Sequence, residues 1–248
     1  LEDSNDDEIH KMASTFNEML DTVEEVFIHE KQFSSDVSHE LRTPITVILA
    51  QSDYALQYSD TFEEAKESLE VINRHAKRMT NLINQIMELS KLERQKEIEK
   101  EKINLSNIVL QLLEDYKPLL ESKNLNLVYN VEKDIRIQGN KIMLERVFLN
   151  ILMNAVKFTK TNIEISLTRE NKTAVLKIRD DGIGISEENK KFIWERFYQV
   201  NDSRNKEENK GSGLGLSMVK KIVDLHSATI DLESEIDQGT CFTIKFNM

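Results

Sequence analysis

The first hundred residues contain no glycine and a single proline, Pro44, so almost nothing in them interrupts a helix. Within that stretch Ile9, Met12, Phe16, Met19, Val23, Val26, Glu30, Phe33 and Val37 recur at alternating steps of three and four. This is a heptad seam, and it predicts a supercoiled helix pair or bundle rather than a solitary helix. After Val37 the seam moves to Leu41, Ile45 and Ile48, a four-residue insertion of the kind that locally unwinds a coiled coil. A break is expected around "YSDTFEE", where Thr61 followed by Glu64 forms a capping box for a second helix. Ala65, Leu69, Ile72, Ala76, Met79, Ile83 and Ile86 then carry the same spacing on to Leu92. A hairpin of two such helices cannot bury both seams alone, and dimerisation into a four-helix bundle covers them.

The formal net charge of -11 excludes a polyanion as main partner, so no nucleic acid is expected. The lone cysteine, Cys241, has no partner for an internal disulfide, which points to a reducing compartment. No apolar run approaches the roughly 18 residues of a membrane span. The longest near-apolar stretch, "VFLNILMNAV", is interrupted by asparagine. The chain starts at Leu1 and not at a methionine, so it is expected to be a piece of a longer protein, with any membrane anchor in the part not included.

From "ERQKEIEKEK" onward the pattern changes, and this charged run reads as a solvated linker or helix end. Strands are expected at "INL", "NLVYNV", "IRIQG", "IEISLT", "AVLKIRD", "TIDLES" and "TCFTIKF". Helices are expected over 106–120, 141–158 and 216–225. Mixed strands and helices of this kind indicate a two-layer α/β sandwich.

Three motifs in this half carry chemistry. "DDGIGI" gives Asp-x-Gly-x-Gly at Asp180, Gly182 and Gly184 after an apolar strand. It is either an ordinary turn or a place where backbone approaches a ligand and a buried carboxylate accepts from an exocyclic amine. "GSGLGL", with Gly211, Gly213, Leu214 and Gly215, opens a helix. It is a flexible loop or an anion cradle of free N–H groups and helix dipole, and it matches neither a Walker loop nor a Rossmann fingerprint. Asn150 and Asn154 lie four apart on one helix face with Lys157 three further on. They are satisfied core amides, or neutral oxygen ligands for Mg²⁺ beside a cation for phosphate.

Taken together, in this order and some thirty residues apart, the three motifs resemble the Bergerat ATP-binding domain shared by histidine kinases, type II topoisomerases, mismatch-repair ATPases and a heat-shock chaperone. The stretch "HELRTP" from His39 to Pro44 narrows the resemblance to the cytoplasmic part of a sensor histidine kinase of two-component signalling. The start, "DEIHKMASTFNEML", is similar to the end of a HAMP relay module. The resemblance implies a relay helix over 1–22, a dimerisation and histidine phosphotransfer domain over 23–97, and a catalytic ATP-binding domain over 98–248. It implies ATP and Mg²⁺ as cofactors, and as partners a second copy of the chain and the receiver domain of a response regulator. His39 would accept phosphate, Glu40 would orient it and act as base, and Thr43 would position a water for dephosphorylating the regulator. Asn154 would hold Mg²⁺, and Asp180 would bind adenine. Phe197 and Tyr198 would precede a nucleotide lid running from Gln199 to Gly211, and Gly239 and Thr240 would form a further glycine box. Gln199 replaces the arginine frequent in the family, for which Arg204 or Lys206 of the lid is the expected substitute. Ser227 and Ala228 replace the glycines usual after His226, and Trp194 replaces phenylalanine. His10, His29, His75 and His226 carry no partner motif and read as surface or structural residues.

The helical spacing turns His39 toward solvent, as a phosphoacceptor requires. An imidazole is largely neutral at pH 7 and keeps a lone pair free for attack. Pro44 has no N–H, so the carbonyl of Glu40 loses its helical donor and a hinge is expected just below the histidine. Glu30 is the one charge in the first seam, a weak point between relay and histidine.

Overall fold

The computed structural model describes residues 3–200 and 211–248, without the side chains of residues 3–9, 22, 25, 26 and 29. Ile9, Val26 and His29 of the expectations above therefore lie outside the described side chains, and Arg204 and Lys206 outside the described residues. The chain divides into two compact units, Leu1–Leu82 and Ile83–Met248.

The first unit is helical. Helix α1 (Asp3–Gln57) runs unbroken through Pro44, and helix α2 (Phe62–Arg94) starts in this unit and continues into the second. Pro44 lies inside the continuous helix: its missing N–H removes one rung, while the turns on either side keep theirs, and the hinge expected there stays an expectation. The break between the helices falls where expected. Thr61 Oγ1 accepts from the Glu64 N–H at 3.3 Å, and the Glu64 carboxylate reaches back to the Asp60 N–H at 3.0 Å, one residue earlier than in the usual capping box. Met12, Phe16, Met19 and Val23 of the first seam are 54–77 % exposed in the single chain. Pro44, Ser68 and Leu82 are buried, and Pro44 therefore packs inward. No helix among the described residues is long and apolar enough to cross a membrane.

The second unit is the α/β sandwich. Its main sheet has the order β2-β4-β5-β7-β6, from strands β2 (Asn126–Val131), β4 (Asn162–Glu170), β5 (Thr173–Asp180), β6 (Thr229–Glu235) and β7 (Gly239–Asn247). The β2–β4 pair is parallel and the others antiparallel. A separate antiparallel pair joins β1 (Glu101–Asn104) to β3 (Arg136–Gly139). Helices α3 (Leu105–Ser122), α4 (Lys141–Phe158) and α6 (Gly215–Leu225) form the second layer. The alternation in β4 sends Ile163, Ile165 and Leu167 into the core, in which Val147, Phe148, Ile151 and Leu152 of α4 and Val219, Ile222 and Val223 of α6 are also buried. A short helix α5 (Glu187–Lys190) was not expected from the sequence.

One strand boundary is corrected. Leu105, expected at the end of a strand, is the first residue of α3, because the Asn104 side chain accepts from the Asn107 N–H at 3.1 Å and starts the helix there. His226 is buried. Its Nδ1 lies 2.8 Å from the Ile222 carbonyl and its Nε2 accepts from the Asn140 N–H at 3.0 Å, tying the end of α6 to the start of α4. Burial pushes the His226 pKa down, and the neutral ring is the form that can accept from Asn140.

Candidate active site

Asn150, Asn154 and Lys157 share one face of α4, at steps of four and three, and that face forms one wall of a cavity of about 620 Å³ in the second unit. The volume lies in the range of pre-formed nucleotide and small-molecule sites. The same cavity is lined by Asp180 at the end of β5, Gly184 in the turn after it, Tyr198 and Gln199, the glycines Gly211, Gly213 and Gly215, and Thr240 of β7. Gly182 and Leu214 do not line it. Leu214 is fully buried behind the start of α6, and Gly182 is packed against the end of α4.

Each wall has a local reason. Asn150 Nδ2 donates to the Arg146 carbonyl at 2.9 Å, which turns the amide oxygen toward the start of α6. A Cβ on Gly215 would come within 2.8 Å of that oxygen, so the residue opening α6 must be small for the two helices to meet. Lys157 Nζ lies 4.4 Å from the Phe158 ring centre, and a Cβ on Gly211 would come within 3.4 Å of it. A cation and the N-terminal N–H groups of an eleven-residue helix thus face the same space, an arrangement that attracts phosphate.

Asp180 sits at the opposite side, 7 % exposed, with the Gly182 N–H donating to its Oδ1 at 2.8 Å. Burial drives its pKa up to about 6, against hydrogen bonds from the backbone of Gly182 and Thr240, with the Asp181 charge adding to the rise. Asp180 has the environment of a carboxylate waiting for a donor. Thr240 Oγ1 lies 2.9 Å from Ser234 Oγ, which donates to the Gly239 carbonyl and accepts from the Ile185 N–H, both at 2.8 Å. The Tyr198 hydroxyl donates to Asn189 Oδ1 of α5 at 2.6 Å.

Some lining residues had no forecast in the sequence. Met153, Ile183, Ile185, Ile193, Ile236 and Phe242 give the cavity apolar surface suited to a flat base. Ile183 and Ile185 flank Gly184, so a signal for them was present; Ile236 arrives from the far end of β6 and left none. Gln199, where the family often has arginine, donates through Nε2 to the Gly211 carbonyl at 2.8 Å, and the Phe197 N–H donates to the Gly213 carbonyl at 3.0 Å. The two flanks of the lid segment are therefore bonded to each other. Among the described residues no group of three His, Cys, Asp or Glu is arranged to hold a metal ion. A metal here would take the Asn154 oxygen, with phosphate oxygens and water for the rest, which suits Mg²⁺.

His39, Glu40 and Thr43 lie on α1 in the first unit. His39 and Thr43 are exposed and Glu40 is half-buried. The Thr43 hydroxyl makes a long contact of 3.4 Å to the His39 carbonyl.

Residues 29–95 match the model of the His Kinase A (phospho-acceptor) domain, and residues 139–248 that of the histidine kinase-, DNA gyrase B- and HSP90-like ATPase. The chain is 31 % identical over 249 residues to the sensor histidine kinase YkoH of Bacillus subtilis, covering 100 % of this chain and 54 % of the relative. It is 32 % identical over 247 residues to the histidine-protein kinase ArlS of Staphylococcus aureus, covering 98 % and 54 %. The chain thus spans about half the length of the curated relatives it matches. Among solved structures, Acinetobacter baumannii histidine kinase AdeS superposes with a TM-score of 0.67 at 23 % identity, covering 85 % of this chain and 98 % of that one. Histidine kinase ThkA, solved in complex with the response regulator protein TrrA, gives 0.71 at 22 % identity, covering 87 % and 61 %. These two show the fold: a helical hairpin followed by an α/β sandwich. The chain belongs to the histidine kinase family.

Proposed function

We propose that this chain autophosphorylates on His39 at the expense of ATP and passes the phosphoryl group to an aspartate on a response regulator. The observation that carries this reading is the convergence of Asn150, Asn154, Lys157, Asp180, Tyr198, the glycines at the start of α6 and Thr240 on one cavity. An exposed histidine within a phospho-acceptor match completes the chemistry. The ATPase domain match, and the structure of the related kinase ShkA in complex with AMPPNP, support ATP as the nucleotide. Asp180 accepts from the adenine amine, and Lys157 with the α6 N-terminus receives the phosphates. Mg²⁺, held by Asn154, supplies positive charge to the phosphate oxygens. His39 attacks the γ-phosphorus through a nitrogen lone pair; the N–P bond forms, the bond to the ADP oxygen breaks, and Glu40 accepts the proton from the other ring nitrogen. Incubation with γ-labelled ATP and Mg²⁺ tests the reading. A phosphoramidate label survives alkali and is lost in acid, and a label with the opposite stability overturns it.

The exposed seam of α1 supports a homodimer, with residues 1–22 as a HAMP-like relay helix, 23–97 as the dimerisation and phosphotransfer domain and 98–248 as the catalytic domain. In a parallel dimer the two copies of Glu30 would face each other, and like charges in a partly dry seam oppose association. Glu30→Leu is expected to raise the melting temperature, measured at fixed protein concentration, by about 2–4 °C for each kcal/mol gained. An unchanged temperature would place Glu30 outside the seam. The ThkA complex with TrrA supports a receiver domain as the second partner. The bacterial membrane would hold the full-length protein through segments outside this chain.

The Thr43 hydroxyl, one turn from His39 and exposed, would orient a water against a phosphorylated regulator. Thr43→Ala is expected to slow dephosphorylation of the regulator by about tenfold, the scale of losing one positioning contact, with autophosphorylation unchanged. Equal dephosphorylation rates would make Thr43 structural.

A further inference from the structure

The connection between α4 and β4 is folded around one carboxylate that the chemistry above does not use. Asp181 Oδ1 accepts from Thr159 Oγ1 at 2.7 Å, from the Lys160 N–H at 3.0 Å and from the Thr161 N–H at 2.9 Å. Its Oδ2 accepts from Thr161 Oγ1 at 2.7 Å and from Asn162 Nδ2 at 2.8 Å. All five donors come from four consecutive residues that follow directly on the last turn of α4. Burial pushes the Asp181 pKa upward, but the hydrogen bonds from Thr159, Thr161 and Asn162 outweigh it and hold the group well below the usual carboxylate range.

Two neighbours give this grip its meaning. Asp181 follows Asp180, so whatever holds one holds the other to within a peptide unit. On the far side of Gly182, a Cβ at that position would fall 2.2 Å from the Phe158 carbonyl oxygen, so the turn after Asp180 lies directly on the end of α4. The apolar packing between α4 and the sheet is non-directional and sets no register to a fraction of an ångström. Five hydrogen bonds to one carboxylate are directional and do.

We propose that Asp181 is a positioning residue of the nucleotide site: by gripping 159–162 it fixes the separation between the α4 groups Asn150, Asn154 and Lys157 and the carboxylate of Asp180. The inference rests on the reading of the cavity as an ATP site. A ligand that spans both sides profits from a preset separation, whereas a ligand that reaches one side does not.

The test compares Mg-ATP with adenosine, by calorimetry on the whole chain, in the wild type, Asp181→Ala and Thr161→Val. Asp181→Ala is expected to weaken Mg-ATP by at least about tenfold while adenosine stays within about twofold, since each half of the site survives and only their spacing is loosened. Thr161→Val removes a single donor from the other side of the contact and is expected to act in the same direction by about two- to fivefold, which keeps the test decisive should Asp181→Ala fail to fold. Equal losses for both ligands would reduce Asp181 to a general structural role and overturn the proposal, as would unchanged Mg-ATP affinity in Thr161→Val together with a folded, unaffected Asp181→Ala. A wild type that binds neither ligand would instead remove the ATP reading itself, and the proposal with it.

Discussion

His39→Gln is expected to abolish phosphate labelling from γ-labelled ATP while leaving nucleotide affinity within about twofold of the wild type. The loss is complete because the reaction forms a covalent bond to this side chain. A glutamine amide nitrogen has its lone pair delocalised into the carbonyl and offers no nucleophile, whereas its helix propensity and polarity suit an exposed position on α1. The nucleotide is spared for a reason of chain organisation: every residue that lines the cavity lies between Gln85 and Phe242, in the second unit, and His39 belongs to the first. Labelling and equilibrium binding measured on the same preparation separate the two effects. Residual label of wild-type acid sensitivity in the variant would move the phosphoacceptor to another histidine.

How far the sequence carried depended on whether a feature is written locally. The heptad spacing and the Thr61–Glu64 pair are local, and both helices and the break between them lie where those residues put them. Each of the seven segments expected as strands has its strand, with Leu105 lost to a cap that a short apolar triplet conceals. The α4 face of Asn150, Asn154 and Lys157 was legible because helical spacing alone puts them together. That Asp180 joins them in one cavity follows from tertiary structure, and in the sequence only the joint order of the motifs announced it. Gln199 marks the limit. It was noticed as the residue standing where an arginine is frequent, but its bond to Gly211 crosses the whole lid segment, and no local pattern encodes a partner twelve positions away. Asp181 was invisible for the same reason. In the sequence it is the second acid of an Asp-Asp-Gly turn, and its five donors are supplied some twenty residues earlier.

Asp180→Asn is expected to cost on the order of 100-fold in ATP affinity and to remove the pH dependence of binding that the wild type shows. The carboxylate has two acceptor oxygens with several lone pairs; it accepts from the Gly182 N–H through Oδ1 at 2.8 Å and from the backbone of Thr240, and keeps acceptor capacity for the adenine amine. An asparagine in the same place has a single oxygen. If that oxygen keeps Gly182, the NH₂ group meets the adenine NH₂ donor to donor. If it turns to adenine, the Gly182 N–H is left unpaired in a buried position, and either arrangement costs about 1–3 kcal/mol. The pH profile separates this from a simple loss of fit. Below pH 6 the buried Asp180 is increasingly protonated, since burial holds its pKa at about 6, and a neutral carboxyl that donates where adenine also donates binds poorly. Wild-type ATP affinity therefore falls as the pH drops from 7 through 6 toward 5. The stability of the nucleotide-free domain moves the other way. A carboxyl whose folded pKa is raised from 3.8 contributes stability at low pH that is lost as the pH rises between about 4 and 6, a difference on the order of 3 kcal/mol. The variant has no group to titrate there, so its affinity is expected to be low and flat over pH 5–7, and its melting temperature to lose the part of the decline that Asp180 causes. An Asp180→Asn protein that bound ATP like the wild type at pH 7 would remove the carboxylate from adenine recognition. Wild-type affinity unchanged between pH 7 and 5 would show that protonation of Asp180 is not coupled to nucleotide binding, and would likewise remove its charge from adenine recognition.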